Sequence, residues 1–218
     1  PEVMTARLLI FGRQGAGKGT QSERLSAHYA TPHISTGDML RAAVAAGTSL
    51  GVEAKAVMDG GGLVSDEIIL GVVEARLAEA DVKANGFLLD GFPRTVVQAE
   101  GMAKFATIDV AIDLVVPEEV VLERISSRRV CAKCGAIYSV AAPPSTEWVC
   151  DKCGGEVQQR ADDTPESISK RLAAYTSETQ PTIDFYSTSG LLVGVDGLGT
   201  PDEVFARLLS AIDARLSK

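Results

Sequence analysis

The sequence predicts an α/β protein built on a parallel sheet buried on both faces, and three observations carry that expectation. Short apolar runs alternate with segments of helical periodicity along most of the chain, the pattern of parallel strands joined by helical crossovers. A glycine-rich loop links the first apolar run to the first helical segment. The chain has 218 residues, 45% of them hydrophobic and 23% charged, enough for one sizeable core carrying small inserted subdomains.

Taken in order, residues 8–11 form the first apolar run, and residues 19–29 the first helical segment. Residues 35–64 are rich in Gly and Ala, helical in pattern, and end near three glycines that read as a flexible junction. The alternation resumes with a strand at 87–89 and a helix over 95–105, then a strand at 110–116 and a helix over 118–129. Residues 130–163, rich in Cys, Pro and Gly, break it again. Thr164-Pro165-Glu166 and Thr200-Pro201-Asp202-Glu203 each set a hydroxyl at a helix cap, proline first and an acid in the opening turn. They frame 191–195 as the last strand. The two interruptions are insertions over one core, and no internal repeat is present.

The formal net charge of -8 opposes binding to an extended phosphate backbone, while leaving room for a local basic cleft that takes a small polyphosphate. No stretch reaches the roughly 18 to 20 apolar residues of a membrane span, and residues 8–11 are too short for a signal-peptide core. The expectation is a cytoplasmic protein without nucleic-acid or membrane partners, and a monomer.

Gly12-Arg13-Gln14-Gly15-Ala16-Gly17-Lys18-Gly19-Thr20 follows a strand and opens a helix. Glycines let successive backbone N–H groups turn towards phosphate oxygens, Lys18 adds a mobile charge, and the helix N-terminus adds its dipole. Gly19 stands where this loop type usually carries Ser or Thr, and the hydroxyl comes one place later at Thr20. Asp90 closes an apolar run, where ligands meet an open parallel sheet, and a carboxylate there can hold magnesium through its waters. A site for a polyphosphate needs several cations, and Lys18, Arg41, Arg94, Arg124, Arg128, Arg160 and Arg171 are candidates.

Cys131-x-x-Cys134 and Cys150-x-x-Cys153 are separated by 15 residues, within the window of a four-thiolate zinc site. Four thiolates leave no open position for water, so the ion is expected to be structural. Iron satisfies the same cage, and two redox dithiols or disulfides are the competing reading. Trp148 and Tyr138 are expected to pack the knuckle; His28, His33 and Arg129 read as ordinary core or surface residues.

Gly15-Ala16-Gly17-Lys18-Gly19-Thr20-Gln21, Ser35-Thr36-Gly37-Asp38-Met39-Leu40-Arg41 and Gly86-Phe87-Leu88-Leu89-Asp90-Gly91-Phe92-Pro93-Arg94 resemble, in order and spacing, the three signature segments of adenylate kinases. The third is highly specific for nucleoside-monophosphate kinases, and the resemblance covers essentially the whole chain. It implies a P-loop core with a five-stranded parallel sheet (1–34, 65–126, 165–218), an AMP-binding subdomain (35–64) and a lid (127–164) of the zinc-bearing kind. The activity it implies is magnesium-dependent transfer from ATP to AMP, giving ADP.

Residue by residue, the resemblance assigns Lys18, Arg94, Arg128, Arg160 and Arg171 to catalysis. It places Gly15, Ala16, Gly17, Lys18, Gly19, Thr20, Arg124, Arg128, Ile137, Tyr138 and Gly199 against ATP. It places Thr36, Arg41, Gly62, Leu63, Val64, Gly91, Phe92, Pro93, Arg94, Gln98, Arg160 and Arg171 against AMP. Gln98 would offer donor and acceptor to the purine edge. Thr36 favours AMP, since UMP and CMP kinases commonly show Ala there. The chain departs from the pattern at Arg13-Gln14, a pair that often contains proline, and at Gly62 and Ala161, where many relatives have lysine. A different kind of reading, a zinc-ribbon nucleic-acid module fused to a nucleotide sensor, is disfavoured by the acidic balance and the lack of basic, aromatic-bearing strands around the cysteines.

Overall fold

The computed structural model describes residues 5–59, 64–159 and 163–217. Five strands, β1 (Ala6–Gly12), β2 (His33–Ser35), β3 (Gly86–Asp90), β4 (Val110–Val115) and β8 (Leu192–Asp196), form a wholly parallel sheet in the order β2-β3-β1-β4-β8. Three short strands, β5 (Arg128–Cys131), β6 (Ile137–Ser139) and β7 (Val157–Gln158), make a separate antiparallel sheet with β5 in the middle.

The helices are α1 (Lys18–Tyr29), α2 (Thr36–Ala46), α3 (Ser49–Asp59), α4 (Asp66–Leu77), α5 (Ala80–Asn85), α6 (Val96–Met102), α7 (Glu118–Ser127), α8 (Pro165–Ala174), α9 (Gln180–Thr188) and α10 (Pro201–Leu216). A π-helical turn, Tyr175–Thr179, joins α8 to α9.

Successive side chains of a strand point to opposite faces, and β1 shows the consequence. Leu8 and Ile10 pack with Leu25 of α1, Ile125 of α7, Ile168 of α8 and Leu208 of α10, while Leu9 and Phe11 pack with Met39, Val72, Met102 and Ile183 on the other side. Both faces are covered, which is why these strands read as unbroken apolar runs rather than alternating ones.

Both expected caps are present. Thr164 accepts from Ser167 N, and Thr200 forms a reciprocal capping box with Glu203. Elsewhere the structure shortens the expectation. The helix foreseen over 118–129 stops at Ser127, because Arg128 takes an extended backbone (φ -63°, ψ 140°) and begins β5. The helix foreseen over 95–105 ends at Met102. Strand β2 and helices α4 and α5 had no assignment from sequence. The strand ends β1, β3 and β4 lie side by side, with Ile10 opposite Asp90 and Gly12 opposite Leu114. That rim is where the phosphate loop and Asp90 meet.

Candidate active site

The phosphate loop leaves β1 at Gly12 and enters α1 at Lys18, closed by a backbone bond from Ala16 N–H to Arg13 O of 3.0 Å. Gly15 and Gly17 both have positive φ, 86° and 92°, a region that L side chains rarely adopt. At Gly15 a Cβ would also lie 2.7 Å from Ile125 Cγ1, so the loop is pressed against α7 with no room for a side chain.

Lys18 ends against Asp90, its ammonium donating to Oδ1, while His33 Nε2 lies 3.1 Å from Asp90 Oδ2. Burial works against ionisation of Asp90, but the hydrogen bond from His33 and the charge of Lys18 outweigh it and hold the carboxyl below its usual range. His33, read from sequence as an ordinary residue, therefore stands at the carboxylate expected to hold magnesium. Strand β2 carries it there through the pairing of His33 with Leu88.

Two cavities flank the loop. One, of about 650 Å³, brings together Gly15, Gly17, Lys18, Gly19, Thr20, Asp90, Arg124, Arg128, Ile137 and Tyr138. An adjoining cleft is lined by Ala16, Arg124 and Gly199, with Arg124 donating to Ala16 O and Gly197 O, each at 3.3 Å. The other main cavity, of about 280 Å³, joins Lys18 to Gly91, Pro93, Arg94 and Arg171. Gln14 and Lys18 are the residues that line both main cavities.

The remaining described candidates do not line these cavities. Phe92 is buried in the core, with 2% of its surface exposed. Thr36 donates to Gly91 O at 3.1 Å, and Arg41 pairs with Asp38 on an exposed turn of α2. Val64 is half-buried. Gln98 is buried, its Oε1 accepting from Arg94 N at 2.8 Å and its Nε2 donating to Asp66 Oδ1 at 2.8 Å. Its amide thus ties the turn that presents Arg94 to Asp66 at the start of α4. Gly62, Leu63 and Arg160 lie outside the described residues.

Arg128 is held by Asp163, whose side chain is fully buried, through bonds of 3.0 and 2.5 Å to its two carboxylate oxygens. Arg171 lies 3.6 Å from the same carboxylate and donates to Gln14 Oε1 at 2.8 Å. Sequence reasoning missed Asp163, which looks there like any acid beside a helix start.

The four cysteines converge. Their Sγ atoms all lie within 4.8 Å of one another, with Cys131 to Cys153 and Cys134 to Cys150 at 3.5 Å. Tetrahedral zinc–thiolate bonds of about 2.3 Å would set sulfurs about 3.8 Å apart, so the cage has the right size. A Cβ on Gly155 would fall 2.9 Å from Cys131 Sγ, so the chain crosses the cage where only glycine fits. Tyr138 donates its hydroxyl to Cys150 Sγ at 3.4 Å and accepts from Asp151 N at 2.9 Å. That hydroxyl bond pulls the Cys150 thiol down to about 6. Tyr138 and Trp148 pack around the cage as expected, and the Arg129 guanidinium lies 5.7 Å from the Trp148 ring centre. These thiols fit zinc.

Removing Arg128 would strand a buried carboxylate. Arg128→Met should lower the unfolding free energy by about 3 kcal/mol, the low end for orphaning a buried charge because Arg171 remains near. Adding Asp163→Asn should restore most of that loss in urea unfolding. Equal losses in the single and double variants would show that the pair carries no such linkage.

Comparison with known proteins gives a consistent result. The family model for adenylate kinase matches residues 10–191. The chain is 50% identical to the adenylate kinase of Thermodesulfovibrio yellowstonii over 215 residues, 96% of this chain and 100% of that protein. It is 49% identical to the adenylate kinase of Carboxydothermus hydrogenoformans over 94% of this chain and 99% of that one. It is 50% identical to the adenylate kinase of Archaeoglobus fulgidus over 87% and 90% of the two chains.

Proposed function

The chain belongs to the adenylate kinase family, and on that premise we propose where in this structure the family's reaction takes place. Its activity is the reversible, magnesium-dependent transfer of the terminal phosphoryl group of ATP to AMP, giving two ADP, in adenine nucleotide homeostasis and AMP salvage. ATP enters the larger cavity and AMP the smaller. The observation that supports this placement is the meeting of the two cavities at Lys18, with the phosphate loop on one side and Arg94 on the other.

Two anionic phosphates must be brought in line, and most of the catalytic work is positioning and charge stabilisation. The attacking AMP phosphate has a second pKa near 6 and is largely ionised at neutral pH, so no general base is needed. Lys18 and the N–H groups of residues 15–20 hold the ATP phosphates. Arg41 and Arg94 hold the AMP phosphate, and Gln98 fixes the backbone at Arg94. Arg128, Arg160 and Arg171 take up charge on the group in transit. Asp90 would hold magnesium through its waters, and the ion supplies further neutralisation of the phosphate oxygens. Gly62, Leu63, Val64, Thr36 and Gln98 take the AMP base and sugar, and Ile137, Tyr138, Arg124 and Gly199 those of ATP.

In domain terms, 35–64 is the AMP-binding subdomain and 127–164 the lid, over a core of 1–34, 65–126 and 165–218. Cys131, Cys134, Cys150 and Cys153 hold a structural zinc ion that gives the lid a compact body. No described helix is long and apolar enough to cross a membrane. A cytoplasmic monomer acting on ATP, AMP and ADP is the setting we propose.

AMP should be phosphorylated with a higher kcat/KM than UMP, CMP or GMP in a coupled assay; preference for a pyrimidine acceptor would refute the substrate assignment. Arg94→Ala should lose at least about 100-fold in kcat/KM, as expected for a positioned charge at a desolvated phosphate. A loss below threefold in a folded protein would remove Arg94 from the site.

Zinc removal separates a structural ion from a catalytic one. With zinc stripped by a chelator and magnesium restored, the melting midpoint should fall by at least about 5 °C, while much of the activity survives well below it. Complete loss of activity with an unchanged melting curve would place the ion in the chemistry.

A further inference from the structure

Gln14 departs from the usual composition of this loop, and its side chain reaches across the fold. Its Oε1 accepts from Arg171 Nη1 at 2.8 Å, joining residues 157 positions apart. A guanidinium has only donors, so the amide must turn its oxygen towards Arg171. With Lys18, Gln14 lines both nucleotide cavities and so stands where the transferred group has to cross.

We propose that Gln14 is a positioning residue for phosphoryl transfer, holding Arg171 at the junction of the two cavities. This rests on the reading of Arg171 as a phosphate-bridging arginine. The phosphate loop is fixed at both ends by β1 and α1, so a bond from the loop sets the guanidinium in the frame that holds the donor phosphates. The chemistry of the anchor matters. An amide oxygen orients a guanidinium without neutralising it, whereas a carboxylate such as Asp163, 3.6 Å from Arg171, competes with phosphate for its charge. The bond to Gln14 uses one of the five N–H donors of the guanidinium and fixes the orientation of its plane. Misplacement of a catalytic group by about 1 Å can cost on the order of 100-fold in rate, so a modest hydrogen bond at this point has a kinetic effect larger than its effect on stability.

The test is a double-mutant cycle on the full-length, zinc-loaded protein, with Gln14→Met, which keeps the length and loses the acceptor, and Arg171→Met. Gln14→Met should lower kcat by about 10- to 30-fold, with KM for ATP and AMP changed less than about threefold and the melting midpoint unchanged. In the Arg171→Met background the same substitution should cost less than about twofold, because the group it positions is gone. Equal factors in both backgrounds, or a loss below threefold in the parent, would overturn the proposal. Gln14→Ala is read the same way if Gln14→Met folds poorly. Arg171→Met alone distinguishes the two levels. A loss below threefold removes Arg171 itself from the site, whereas a large loss with additive Gln14 effects removes only the role of Gln14.

Discussion

On the reading proposed above, one cleft gathers several cations for phosphate, and their mutual repulsion is the physical problem that the surrounding residues meet. Like charges brought together in a partly desolvated space repel strongly unless each has an acceptor. Lys18 lies on Asp90, Arg128 on the buried Asp163, and Arg171 between Asp163 and Gln14. The fold supplies these partners from separate places: the end of β3, the residue before the cap of α8, and the phosphate loop. On that reading, substrate phosphates take over from these acceptors at the cations. The overall charge of -8 is compatible with this, since the cations are concentrated where two cavities meet.

The small antiparallel sheet meets a different constraint. Its buried apolar contribution is slight, with Cys131, Cys150 and Val157 at the centre of its cluster. So small a body lacks a core of its own, and four converging thiols supply a substitute. Tyr138 joins that cage to the site, because its hydroxyl bonds to Cys150 while the residue lines the larger cavity. Arg128 stands at the start of β5 and Asp163 just ahead of α8, so their ion pair joins the two ends of the stretch that carries the small sheet.

Which features were legible in the sequence follows from how far apart their causes lie. Strands β1, β3, β4 and β8 are written as apolar runs because both faces of the sheet are covered. Strand β2 is not, since His33-Ile34-Ser35 has one apolar side chain and owes its form to pairing with β3. The phosphate loop and the cysteine pairs are local patterns, and their geometry came out as their spacing implied. The helix end at Ser127 was missed because 118–129 has uninterrupted helical composition, and the break is imposed by pairing of Arg128 and Arg129 with β6. The partners of Asp163, His33 and Gln14 lie 35, 57 and 157 residues away, so no local pattern could reveal them. Gln98 is a motif residue whose further bonds, to Arg94 N and to Asp66 32 residues away, the motif does not show.

The most direct measurement is a crystal structure of the chain with magnesium and a bisubstrate ligand, two adenosines joined through five phosphates. The expected result is one adenosine in each cavity, with Lys18 moved from Asp90 to a phosphate oxygen, Asp90 on a magnesium-bound water, and Arg94 and Arg171 donating to the phosphate chain. Phosphates bound elsewhere, with the Lys18–Asp90 and Arg128–Asp163 pairs both intact, would contradict the account that these cations are held in readiness for substrate.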